Sequence, residues 1–248
     1  MSATIAIWLL MLGPFVALVA RTSPSRIVGA LSRSGALLPL ATSLGSSLIV
    51  LAVLVVIGTP LGYALARSKR PGIRIIEAGV IVMLLMPPLV VGLLLVFMVG
   101  PLTPIGEALS RIHLDATNTF FALMLAEFYE AGPYYVLGAQ SAFALLDEEV
   151  LEQSSLLGDS GWTRFKRVSL PLSLRPLATS LAVAWARATG AFGAVIIIAY
   201  HPYGLPMQIW TTLNEVGLPQ ALPFALLLVV VALPLPLLAF AWGRNASR

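Results

Sequence analysis

The chain has no cysteine. Disulfides, thiolate metal sites and cysteine nucleophiles are thereby excluded. It has two histidines, His113 and His201, too few for a metal centre built on imidazole. Charge is scarce: Asp, Glu, Lys and Arg make up 10% of the 248 residues, against about 25% in a soluble domain. No Gly-x-x-x-x-Gly-Lys-Ser/Thr loop occurs, so the chain does not bind ATP through a P-loop. The net charge of +4 does not point to nucleic acid. What fills the space is apolar. Hydrophobic residues make up 58%, and the mean hydropathy is +0.93. This is the composition of an all-α integral membrane protein whose solvent is the lipid bilayer.

A membrane-spanning helix needs about 20 mostly apolar residues. Six segments qualify, near Thr4–Ala20, Thr42–Ala66, Ile75–Val99, Thr119–Phe143, Leu177–Tyr200 and Ala221–Trp242. Pro39 and Gly45 interrupt the longer uncharged run before the second, which sets its start near Thr42. The first lacks the basic residue that precedes a signal peptide's apolar run, so it is expected to be retained. The chain divides into an N-terminal helix with an external loop (1–34), a main membrane domain (35–243) and a short tail (244–248).

Lys and Arg in the loops set the orientation. One set of loops carries Arg67, Lys69, Arg70, Arg74, Arg164, Lys166, Arg167, Arg175, Arg244 and Arg248; the other carries Arg21, Arg26, Arg33 and Arg111. Ten against four places the first set, both termini and the segment 147–171 in the cytoplasm. The loop 201–220, free of Lys and Arg, falls outside. Asn245-Ala246-Ser247 fits a glycosylation pattern but lies on the cytoplasmic side of this topology.

The longest polar stretch is that cytoplasmic insert. It cannot sit in lipid, where each unpaired backbone group costs several kcal/mol. Asp147, Glu148 and Glu149 open a short helix, their charge suited to the positive end of its dipole. Gly158 fits the helix stop. Asp159 or Ser160 can cap a second short helix, and Pro171 ends the unit. Trp162, Phe165 and Ser169 fall on one face of that second helix. A solvated loop is the plain alternative. Exposed aromatics at Trp162 and Phe165 favour a partner's groove instead.

The spacing Glu152, then Gly158, then Val168-Ser169-Leu170-Pro171 resembles the EAA signature of ABC importer permeases. That pattern is Glu-Ala-Ala, three residues, Gly, nine residues, Ile-x-Leu-Pro; here Gln153 and Ser154 replace the alanines and Val168 the isoleucine. The resemblance extends from about Leu40 to Trp242. Gly58-Thr59-Pro60-Leu61-Gly62-Tyr63-Ala64-Leu65-Ala66-Arg67 is similar to the first core helix of such permeases. Met86-Pro87-Pro88-Leu89-Val90-Val91-Gly92 and Phe192-Gly193-Ala194, with Ala199-Tyr200-His201-Pro202 and Leu205-Pro206, are similar to the molybdate and tungstate members. Sulfate permeases are near relatives. The resemblance implies a six-helix type I importer fold with a cytoplasmic coupling helix. It implies coupling to the ATPase through Glu152, Gly158, Trp162, Phe165, Leu170 and Pro171. It also implies a second copy of the chain, two ATP-binding cassette subunits holding ATP and Mg, and an extracytoplasmic substrate-binding protein. The chain itself would then be a transport subunit with no cofactor and no catalytic residue.

Within the spans, Pro87-Pro88 predicts a kink where a backbone bond is lost, and broken helices are tolerated beside a cavity. Glu127, Glu130 and Arg187 are intramembrane charges, each costing about 2.5–3.5 kcal/mol at a helix centre. Glu127 and Glu130 share a helix face, and Arg187 lies at comparable depth. Pairing of Arg187 with one glutamate is the structural expectation, and lining a translocation path the functional one. Glu77, near a membrane edge, is expected to snorkel or to meet Arg74. Gly58 and Gly62 form a small-xxx-small pair suited to close helix packing. Gly158-Asp159-Ser160-Gly161 looks like a serine-protease nucleophile segment, but no histidine falls on its side of the membrane. Two rivals remain. One keeps the class and carries sulfate or another small solute. The other is a proton-coupled secondary transporter working through Glu127 and Glu130, for which a docking knob has no purpose.

Overall fold

Every regular element among the described residues is helical in the computed structural model, which describes residues 2–32 and 37–244. Arg33, Arg248 and the Asn245-Ala246-Ser247 pattern lie outside them. Helices α1 (Ser2–Arg21) and α2 (Pro24–Leu31) precede a long helix, α3 (Leu38–Arg67). Next come α4 (Pro71–Leu85), α5 (Pro88–Val99), α6 (Pro104–Arg111) and α7 (Phe120–Ala144). The polar insert begins with α8 (Glu148–Leu156). Gly161–Arg164, Phe165–Ser169 and Leu170–Thr189 then run on without interruption as α9 (161–189). Two short helices, α10 (Val195–Ile198) and α11 (Leu205–Glu215), lead to α12 (Leu218–Gly243).

Helix α7 is the hub. It packs against α3, α4 and α9, and its small residues Ala122, Ala126, Ala131, Ala139 and Ala142 are all buried. Small side chains let backbones approach closely in a membrane. The Gly58/Gly62 pair does this from the α3 side. A Cβ on Gly62 would lie 2.6 Å from the Ala139 Cβ, and one on Gly58 would lie 2.8 Å from the Tyr135 ring. Enclosure also explains why α7 carries charge that a lipid-facing helix would not. By length and apolarity, α3 and α12 are each able to cross a membrane. The pair α5 and α6, bent by 70°, qualifies only when taken together, as a broken span or a re-entrant loop.

Several boundaries differ from the sequence expectation. Pro39 sits in the first turn of α3, where a missing N–H costs nothing, so the helix starts at Leu38 and not near Thr42. The expected third span is two helices, because Met86 and Pro87 adopt extended ψ values of 133°. The fifth ends at Thr189; Gly190–Ala194 is not helical, and α10 follows. Pro171 does not end the insert but lies in the first turn of Leu170–Thr189. The helix passes through it by way of a π-turn, Phe165–Ser169. A second π-turn, Leu54–Gly58, precedes Pro60. In both cases the carbonyl four residues before the proline, at Arg167 or Val56, falls inside the wider turn. A proline ring crowds that carbonyl and offers it no N–H, and a π-turn relieves both problems.

Candidate functional sites: the polar loop and a cavity at the double proline

The loop starts with a helix cap. The Asp147 carboxylate accepts from the Glu149 N–H at 3.0 Å. Helix α8 ends at Leu156, and the chain turns at Gly158, whose φ of +89° is open to glycine and strained for other residues. No atom lies within 4 Å of where its Cβ would be, so conformation and not crowding requires glycine. Asp159 N–H donates to the Ser154 carbonyl at 3.2 Å, and the Ser154 hydroxyl donates to the Asp159 carboxylate at 2.8 Å. Serine at 154 thus closes the turn. Ser160, rather than Asp159, caps the second helix by accepting from the Thr163 N–H.

Trp162 is 69% exposed, whereas Phe165 is 8% exposed. The expectation that both rings are displayed is corrected here. Phe165 faces the bundle because α9 is continuous with its span, which turns that side inward. Its ring meets Tyr63 edge-on at 4.9 Å and lies 5.9 Å from Phe143. Leu170 packs half-buried on the same cluster. Glu152, Gly158 and Pro171 are exposed. Beside Trp162, the loop exposes Leu156 and Leu157, each 86% accessible. Sequence reasoning did not assign these two a docking role; two leucines just before the turn glycine of a polar insert were the available signal.

Arg67 was also missed as a positioning residue. In the sequence it reads only as an orientation charge and as the end of the core-helix motif. Its Nη2 donates to the carbonyls of Phe143 and Leu146 at 2.7 and 2.9 Å, and its Nη1 lies 3.9 Å from Glu148. It therefore caps the C-terminal end of α7, where a cation suits the dipole, and joins α3 to the root of the loop.

The intramembrane charges separate. Glu127 is 2% exposed and accepts from the hydroxyls of Ser46 at 2.7 Å and Ser47 at 3.2 Å. Glu130 accepts from the Ala194 N–H at 2.8 Å. Arg187 forms no ion pair with either; Arg67–Glu148 is the one ion pair among the described residues. The reason is local: serines from α3 and an amide after the break at Gly190 already satisfy the carboxylates. Arg187 instead lies 4.2 Å above the centre of the Tyr134 ring and donates to its hydroxyl. Likewise Glu77 takes the Gln140 side-chain amide at 2.7 Å, not Arg74. Glu130, Arg187, Pro87 and Pro88 do come together. With Met83, Tyr129, Tyr134 and Val91 they line a cavity of about 290 Å³. Glu127 is not part of it.

This helical fold is that of an ABC transporter permease. It superposes on a chain of a bacterial alginate ABC transporter, solved with an alginate pentasaccharide-bound periplasmic protein, with a TM-score of 0.72. The superposition covers 100% of this chain and 94% of that one at 16% identity, a likeness of fold alone. Residues 58–248 match the binding-protein-dependent transport system inner membrane component family, and the chain belongs to that family of membrane proteins. It is 35% identical to the probable molybdenum ABC transporter permease protein of Haloferax volcanii, over 94% of this chain and 85% of that one. It is 32% identical to the molybdate/tungstate transport system permease protein WtpB of Pyrococcus furiosus, over 77% and 73% of the two chains.

Proposed function

We propose that the chain is the membrane-spanning subunit of an ATP-driven importer of molybdate or tungstate. It spans the membrane six times with both termini and the 147–171 loop in the cytoplasm. Two copies form the path, two ATP-binding subunits that hold ATP and Mg dock inside, and a substrate-binding protein delivers cargo outside. The chain catalyses no chemistry.

The observation that carries this reading is the continuity of α9. Trp162 near its start and Arg187 near its end belong to one unbroken helix. The 25 residue steps from one to the other correspond to about 38 Å at 1.5 Å per residue. A tilt imposed at Trp162 therefore moves the wall of the cavity that Arg187 lines. Leu156, Leu157 and Trp162 supply an apolar docking face outside the lipid, of the kind a groove on a partner buries. The cargo rests on the molybdenum and tungstate relatives.

The test is uptake into proteoliposomes holding the permease and its ATP-binding subunit, with binding protein outside and ATP trapped inside. Tungstate and molybdate uptake that requires ATP is the expected result. Sulfate uptake in preference to both would replace the cargo, and ATP-independent uptake driven by a proton gradient would replace the mechanism.

A further inference from the structure

Arg187 is an exposed guanidinium on a helix that the topology places within the membrane. Lipid does not tolerate it cheaply, so its face opens on water or on a second copy of the chain. It has five N–H donors, and among the described residues one acceptor, the Tyr134 hydroxyl, is found for them. The Tyr134 ring lies 4.2 Å beneath the guanidinium carbon and holds it there. Such a planar fork matches two oxygens of an oxyanion at once.

The surroundings suit an anion in transit. The cavity of about 290 Å³ is lined by the break between Leu85 and Pro88. That is many times the about 10–15 Å³ a single water needs, hence room for a tetrahedral oxyanion that keeps part of its hydration. Glu130 lines the same cavity but is engaged by the Ala194 amide. Its charge beside Arg187 offsets part of the attraction. A transport path needs binding strong enough to admit the ion and weak enough to release it.

We infer that Arg187, oriented by Tyr134, is the contact through which a tetrahedral dianionic oxyanion passes the cavity at Pro87-Pro88. This rests on the oxyanion reading above and adds a site to it. Glu130 is a tuning group there, and Glu127 has no part in it.

The test uses the reconstituted transporter with its ATP-binding subunit and binding protein. Arg187→Gln should lower ATP-driven tungstate uptake roughly tenfold or more, the loss expected for a charge-assisted contact. Arg187→Lys should retain part of it. Both variants should stay folded and retain the ATP-binding subunit in a pull-down, which shows that the loss is not one of assembly. A second measurement does not depend on turnover. In a Met86→Cys background the single thiol lines the cavity. Tungstate should slow its modification by a small thiol reagent with Arg187 present, and not with Arg187→Gln. Failure of the wild-type transporter to take up any oxyanion would overturn the cargo reading and this site with it. Normal wild-type uptake, with undiminished uptake and protection in Arg187→Gln, would overturn this site alone.

Discussion

Trp162 stacks on Phe165 with ring centroids 5.5 Å apart and 25° between planes, yet one ring is in water and the other in the core. The two positions therefore have different jobs. Phe165→Ala should cost stability, about 3–5 kcal/mol for a buried phenylalanine. Trp162→Ala should leave stability nearly unchanged and weaken ATPase docking by about 2 kcal/mol, or roughly thirtyfold. Thermal unfolding in detergent, set beside titration of the ATP-binding subunit, separates the two effects. Equal thermal stability of both variants would contradict the assignment.

Gly158 turns the loop at a φ of +89° in open space. Only backbone strain opposes a side chain there. Gly158→Ala should cost about 1–2 kcal/mol, and Gly158→Asn less, because asparagine visits the left-handed region more readily. The order Gly, Asn, Ala, Val in ATPase retention is the expected outcome of a pull-down series.

Glu127 is held by Ser46 and Ser47, not by Arg187. Glu127→Leu should lower folded yield more than Glu127→Gln, because it leaves both hydroxyls without their carboxylate partner. The Arg187→Leu and Glu127→Gln changes should be additive within about 0.5 kcal/mol, as for sites without a shared contact. A double-mutant cycle measured by thermal unfolding checks this, and clear rescue of Arg187→Leu by Glu127→Gln would show that the two charges are paired after all.

The native chain has no cysteine, so one introduced thiol reports topology cleanly. Ser160→Cys should resist a membrane-impermeant thiol reagent in intact cells and react in inside-out vesicles. Labelling in intact cells would reverse the orientation drawn from the ten-to-four bias of Lys and Arg.

Much of this was legible in the sequence because it is local. Helix α7 is one 25-residue run, and the cap at Asp147 and the stop at Gly158 depend on near neighbours. The close packing at Gly58 and Gly62 follows from their spacing. What was not legible depends on distant partners. Ser46 is 81 residues from Glu127, and Ala194 is 64 from Glu130, so no local pattern reveals that both carboxylates are already engaged. Phe165 looks displayed on a short polar helix until α9 is seen to continue through Pro171. A π-turn makes that continuity possible, and a proline in the sequence signals only a stop. Arg67 reads as a topology charge, because the carbonyls it caps lie at the far end of another helix.

In the proposed mechanism the loop transmits ATP hydrolysis to oxyanion movement through Trp162. The most direct measurement of this is the ratio of tungstate uptake to ATP hydrolysis in vesicles, alongside ATPase retention, for wild type and Trp162→Ala. The expected result is a permease that is still inserted and folded, with most of its ATPase released and uptake lowered by roughly thirtyfold at limiting ATPase. Wild-type retention together with wild-type uptake in Trp162→Ala would contradict it.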